Sequence, residues 1–287
     1  MEFDKSIFKK KLLDTFRAFI SFCNENKIEF FVSAGTALGA IRHKGMIPWD
    51  DDIDVYMKRI QYEKFISLRH TLKNSGYEIK DIDTKNYNHA FAKFCDANTT
   101  IWEKSTYEFI IGVWIDIFPL DYIDGSFEEI DRKLIPVQKA WSRYLCTTRT
   151  FNYQYFIDLF NDYKLKFIPR IAYHIFAKCF YTQNSTRLAL KDTLKKTSQN
   201  NGQFLLFYFH TYPTKNEVFK SEWFDESIKV EFEGLKVPIV REYNEYLMTM
   251  FGNYMQLPPV EQRTSHHNYY YVNLEKRLEI NEIRKIL

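Results

Sequence analysis

The chain has 287 residues, 45% of them apolar and 18% aromatic with 26 Phe and 20 Tyr, so a sizeable core can form and extensive disorder is excluded. Forty basic against 37 acidic residues leave a net charge of +3, too mild for a general nucleic-acid binder. Cys23, Cys95, Cys146 and Cys179 lie far apart with no CxxC spacing, which argues against a disulfide framework or a zinc ribbon and fits a reducing cytoplasm.

The N-terminus, "MEFDKSIFKKKLLDTF", is charged throughout, unlike a signal peptide. Residues 5–27 read as an amphipathic helix, with Phe8, Leu12, Phe16 and Ile20 recurring at steps of four. "IEFFVSA" (28–34) reads as a strand ended by Gly-Thr, and "ALGAIRHKG" as a short helix closing at Gly45. "DIDVYM" (52–57) reads as a second strand and 61–76 as a helix ending at Gly76. "HAFAKFCDA" (89–97) and "IGVWIDIFPLD" (111–121) read as further strands. After Phe127 the pattern is mostly helical, and 153–181 combines aromatic and basic residues with little acid. Residues 223–240 predict a hairpin turned at "EGLK", and 241–252 a helix closed by Gly252. The order of elements predicts an α+β or α/β core built on a mixed sheet. No internal repeat is present, and no run of about 18 apolar residues that would span a membrane.

The chemistry concentrates at Asp50, Asp51, Asp52 and Asp54. On a strand, Asp52 and Asp54 share one face with Cα atoms roughly 6.5–7 Å apart, while Ile53 and Val55 face the core. Two such carboxylates repel each other unless a cation lies between them, and hard divalent ions prefer carboxylate oxygens. Asp116 sits inside the apolar "VWIDIF", where an unpaired charge is very costly, so it needs a partner; a metal shared with Asp52 and Asp54 would be one. Upstream, the turn at Gly35 and Thr36 offers backbone N–H groups and a hydroxyl suited to phosphate. Arg42, His43 and Lys44 lie between the turn and the acids, within reach of phosphate oxygens.

A glycine turn after a strand, an acid pair on the next strand and a later strand acid resemble the nucleotidyltransferase superfold. More closely, "AGTALGAIRHKGMIPWDDDIDVYM" resembles the signature of the LicD family, the phosphocholine transferases of bacterial surface glycans with eukaryotic relatives of the fukutin type. The likeness continues at "WIDIFPLDYID" (114–124), "EFEGLKVPIV" (231–240), "YLMTMFGNYMQLPP" (246–259) and "HHNYY" (266–270), and is poor over 130–220. The chain departs from the family's usual pattern at Ala37-Leu38 and at Phe251-Gly252-Asn253, neither of which involves the acids.

The resemblance implies an α+β fold with a nucleotidyltransferase-like mixed sheet flanked by helices: one catalytic domain over 1–287, with its core at about 15–127 and 223–270 and a helical, basic, aromatic segment at about 130–222. It implies a phosphotransferase that moves a phospho-alcohol, typically from CDP-choline, to a sugar hydroxyl and releases CMP. Asp52 and Asp54 would be Mg²⁺ ligands, with Mn²⁺ as a substitute. Asp116 would be a third ligand or the general base, and Asp50 a supporting acid or the ligand of a second metal. Gly35 and Thr36 would hold the diphosphate, Arg42 and Lys44 its charge, and His266 and His267 match the family's C-terminal histidine pair.

The expected partners are a CDP-activated alcohol and an oligosaccharide or lipid-linked glycan acceptor, without nucleic acid. CDP-glycerol or CDP-ribitol would preserve the chemistry and change the alcohol. An NTP-dependent nucleotidyltransferase and a catalytically silent glycan-binding partner are the more distant alternatives. From Asp131 to Asn200 there are 13 Lys or Arg against 4 Asp or Glu. That balance of +9 leaves −6 for the rest of the chain and suggests peripheral contact with the inner face of an anionic membrane.

Overall fold

In the computed structural model, which describes residues 3–164, 167–209, 215–264, 267 and 269–287, the chain opens with helix α1 (Lys5–Glu25). The Asp4 carboxylate caps it by accepting from the N–H groups of Ser6 and Ile7. The buried stripe is Phe8, Leu12, Phe16, Phe19, Phe22 and Cys23. Ile20 is only half-buried, because steps of four drift off a face that repeats every 3.6 residues.

The central sheet runs in the order β1 (Phe31–Val32), β2 (Asp54–Lys58), β6 (Trp114–Ile123), β4 (Ala92–Asp96) and β3 (Tyr77–Lys80). β2 is parallel to β6 and the other pairs are antiparallel, which makes the sheet mixed. β6 lies between β2 and β4, and its central position explains the almost continuous apolar run. α1 covers one face with aromatic rings. Phe19 meets Phe94 of β4 at 5.7 Å, and Phe22 meets Phe65 of helix α3 (Arg59–Ser67) at 5.9 Å.

Several expected boundaries move: the strand expected over 52–57 spans Asp54–Lys58, so Asp52 precedes it, and the short helix expected to close at Gly45 ends at Arg42. The strand expected over 28–34 is reduced to Phe31–Val32, because Ser33 already precedes helix α2 (Ala34–Arg42). Gly35 and Thr36 therefore lie in the first turn of α2. The helix expected over 61–76 gives way after Ser67 to a 3₁₀ turn over Leu68–Leu72.

Beyond β6, helices α4 (Phe127–Thr148), α5 (Tyr153–Tyr163), α6 (Phe167–Phe180) and α7 (Gln183–Thr197) form the mostly helical segment. Its chain then returns to the sheet. β7 (Phe204–Leu206) pairs with the C-terminal half of β6 and with β8 (Phe219–Lys220). Ile123, Ile130, Leu134, Tyr144, Leu190, Leu206 and Tyr208 close a second core there. Strands β9 (Ser227–Phe232) and β10 (Leu235–Val240) form the expected hairpin. Its turn residues Glu233 and Gly234 both have positive φ, 50° and 75°, as the strand twist favours. Helix α8 (Tyr243–Phe251) ends at Gly252, φ 64°. A short ladder joins β5 (Thr100–Trp102) to β11 (Tyr271–Asn273), and helix α9 (Ile280–Ile286) follows. The fold is α+β, a mixed sheet flanked by helices with a mostly helical segment. Among the described residues no helix is long and apolar enough to cross a membrane.

Candidate active site

Asp54 opens β2 and is the register partner of Asp116 on β6. The Asp116 N–H donates to the Ile53 carbonyl at 2.9 Å, extending that ladder back by one residue. Ile53 and Val55 are buried, so Asp52 and Asp54 project from the opposite face. One carboxylate oxygen from each of Asp52, Asp54 and Asp116 lies within 4.8 Å of the other two.

The start of α2 supports this cluster from one side. The Asp54 N–H donates to the Thr36 hydroxyl at 2.8 Å, and the Ser33 N–H donates to the Asp54 carbonyl at 3.0 Å. Ala34 takes φ 44°, a conformation that costs an L-residue energy. The Tyr246 hydroxyl of α8 holds it there by accepting from the Ala34 N–H at 3.0 Å. At Gly35 an added Cβ would meet Asp50 Oδ2 at 2.5 Å, so only glycine lets the Asp50 carboxylate lie against the helix. Gly39 has the same role toward the Gly45 carbonyl, which its Cβ would meet at 2.4 Å.

The charges are strained. Burial, the nearby Asp50 and Asp116 push the Asp52 carboxyl up to about 8, with His267 opposing. Burial, then Asp52 and Asp116, drive Asp54 well above the usual carboxylate range. Burial also raises Asp50, whose carboxyl sits close enough to Asp52 to share a proton with it. Two cations face the cluster. Lys93 of β4 is buried and lies 2.7 Å from Asp116 Oδ1, with its Nζ 3.9 Å from the centre of the Trp114 ring. Burial works against its charge, but Asp116 outweighs that and raises its pKa. His267 meets Asp51 through Nδ1 at 2.9 Å, and its Nε2 lies 3.9 Å from Asp52. Burial lowers its affinity for a proton, but Asp51 and Asp52 raise it by more.

Asp50, Asp51 and His267, at the edge of the cluster, line a cleft of about 750 Å³ together with Trp49, Arg263 and Tyr269, with Phe3, Phe8 and Lys9 on its wall. The Arg263 guanidinium lies 5.4 Å from the Trp49 ring centre. The rings of Phe3, Phe8 and Tyr269 lie within 5.3–5.8 Å of one another.

The structure thus brings together Asp50, Asp52, Asp54, Asp116, Gly35, Thr36 and His267. Arg42 turns toward α8 and donates to the Tyr254 carbonyl at 2.7 Å. Lys44 is exposed beyond the end of α2. His266 lies outside the described residues. Sequence reasoning passed over Lys93, Arg263, Trp49, Tyr246 and Tyr269. A lone lysine in the apolar "AFAKFC" is a usable signal for the first, and Trp49 adjoins Asp50 in the sequence; Arg263, Tyr246 and Tyr269 meet the site only through long-range folding.

Residues 27–156 match the family described as LicD/FKTN/FKRP, nucleotidyltransferase domain. The chain is 27% identical over 259 residues to the lipopolysaccharide cholinephosphotransferase LicD of Haemophilus influenzae, covering 89% of this chain and 92% of that protein. Shorter stretches match uncharacterized proteins of Rickettsia typhi, 39% identical over 56 residues, and Rickettsia prowazekii, 44% identical over 58 residues. These cover 20% and 19% of this chain and 18% and 21% of those proteins. The stretch at 27–156 that matches the LicD/FKTN/FKRP nucleotidyltransferase domain contains Asp52, Asp54, Asp116 and Lys93.

Proposed function

We propose that the protein transfers phosphocholine from CDP-choline to a sugar hydroxyl of a bacterial surface glycan, releasing CMP. The observation that carries this reading is the convergence of the Asp52, Asp54 and Asp116 oxygens within 4.8 Å, in a protein whose relative is named a lipopolysaccharide cholinephosphotransferase. Three hard oxygen donors, two with pKa values driven upward by burial and by neighbouring carboxylates, suit Mg²⁺ or Mn²⁺, with Asp50 as a supporting acid. Such an ion would neutralise charge on the phosphate oxygens and on the departing CMP.

The chain's own groups supply the remaining functions. Gly35 and Thr36, in the first turn of α2, receive the diphosphate beside the carboxylates. His267, whose affinity for a proton Asp51 and Asp52 raise against burial, and Arg263 and Lys9 on the cleft wall balance its charge. Arg42 contributes by fixing the Tyr254 carbonyl and by its charge near Arg263, and Lys44 by its charge beyond the end of α2. The sugar hydroxyl attacks the phosphorus bearing the choline. Its proton passes to a cluster carboxylate, the new P–O bond forms, and the bond to CMP breaks. Phe3, Trp49 and Tyr269 line the cleft, and aromatic rings attract a quaternary ammonium. This aromatic wall favours choline over glycerol or ribitol as the donor alcohol.

The acceptor enters from the other side of Tyr269. That ring also lines a second, polar groove of about 450 Å³ with Glu103, Thr106, Arg149, Gln154, Asp158 and Asn161. Amide, carboxylate and hydroxyl groups beside an aromatic ring suit a sugar.

Calorimetry with CDP-choline, CDP-glycerol, CDP-ribitol and ATP, with and without Mg²⁺, tests the reading. Mg²⁺-dependent binding of CDP-choline, lost in Asp52→Asn, is expected. Preference for a CDP-polyol would move the donor, ATP binding alone would move the reaction to ordinary nucleotidyl transfer, and no nucleotide binding would favour a silent glycan-binding partner.

A further inference from the structure

Helix α6 presents the wrong residues to water. Its inward side is His174, hydrogen-bonded to the Tyr155 hydroxyl at 2.6 Å, and Ala177. Its opposite side is Ile168, Ala172, Ile175, Phe176, Cys179 and Phe180, all exposed and all apolar. These positions recur at steps of three and four and form one stripe pointing away from the protein. The large side chains among them are 48% to 70% exposed. α5 adds Tyr153, Phe156 and Phe160, spaced on one of its own faces and likewise exposed. Phe160 of α5 touches Phe167 at the start of α6 at 5.7 Å.

We propose that this face of α5 and α6 docks flat on an anionic lipid bilayer. The charge selects that occupant. α6 carries Arg170 and Lys178 and no acid, and it belongs to the stretch from Asp131 to Asn200 whose balance is +9. On a helical wheel Lys178 lies at the flank between the inward side and the apolar stripe, so the stripe enters the acyl boundary while Lys178 stays at headgroup level; Arg170 is on the inward side with His174 and Ala177. A second copy of the chain would bring a like-charged segment against this one. The helix of 14 residues is about 21 Å long, short of a hydrocarbon core of roughly 30 Å, so it lies in the interface rather than across it.

Docking also places the polar groove. Gln154, Asp158 and Asn161, which line that groove, project from a different face of α5 than Tyr153, Phe156 and Phe160. A glycan carried on a membrane lipid would then reach the groove from the surface on which the protein rests. That last step depends on the proposed transfer reaction, whereas vesicle binding is measured without donor or acceptor, so the two readings fail separately.

Cys179 provides the probe. In a full-length Cys146→Ser background, an environment-sensitive dye on Cys179 is mixed with phosphatidylglycerol-containing vesicles or pure phosphatidylcholine vesicles. A blue shift and co-sedimentation with the anionic vesicles at low salt are expected. Phe176→Glu with Phe180→Glu should abolish binding with the far-ultraviolet circular dichroism unchanged. Lys178→Glu should weaken it roughly tenfold. The proposal is overturned by failure to bind any vesicle, or by equal binding to neutral and anionic ones. It is also overturned by self-association that the phenylalanine pair abolishes in a protein indifferent to vesicles.

Discussion

At the residue scale, the three carboxylates work against the fold that carries them. Asp52 titrates near 8 in the folded chain against about 3.9 unfolded. A raised carboxyl contributes stability that is full below the unfolded value and is lost as pH rises through the folded one. Without divalent metal, the melting temperature should therefore fall from about pH 4 to about pH 8. Asp52→Asn should flatten this decline and be the more stable protein near pH 8, while its transfer activity drops by about a hundredfold or more. Melting curves in chelator across that range would expose a parent that does not lose stability, and the electrostatic account would then be wrong. Lys93 makes the opposite prediction. Lys93→Met leaves Asp116 buried without its cation and should cost about 3–5 kcal/mol. Adding Asp116→Asn should recover much of that, and denaturant unfolding of the double-mutant cycle measures the coupling.

At the element scale, α2 is the part whose placement matters most. Its first turn is held by Tyr246 from α8 and holds Asp54 through Thr36. Tyr246→Phe removes the acceptor from the Ala34 N–H and should destabilise by about 1–3 kcal/mol. Gly35→Ala should leave the secondary structure intact and displace the Asp50 carboxylate, lowering turnover by about a hundredfold. Partial recovery in Gly35→Ala with Asp50→Ala would confirm the clash; steady-state rates for the four combinations decide it.

At the scale of the whole molecule, the helical segment is tied to the sheet. β7 comes after α4 to α7 and pairs back onto β6, with β8 paired to β7, and Leu206 sits in a core shared with Ile130, Leu134 and Leu190. The segment should not unfold alone. Leu206→Ala should lower a single calorimetric transition by about 2–5 kcal/mol. A second, earlier endotherm would show that the helices form an independent unit.

By itself the sequence determined the local and strongly patterned features. The α1 stripe, the Glu233–Gly234 hairpin, the Gly252 helix end and the acid pair with a buried third carboxylate were legible because each depends on residues a few positions apart. Sequence likeness to the LicD signature reached the same acids from another direction. Tertiary structure alone decided that Lys93 faces Asp116, that Tyr246 fastens Ala34, and that Arg42 turns to Tyr254 instead of lining the cleft. It also decided the short strands β3, β5, β7, β8 and β11, whose two to four residues gain strand character only from distant partners. The outward stripe of α6 is the clearest case. Its periodicity is that of any amphipathic helix, and only packing shows that the apolar side faces away from the core.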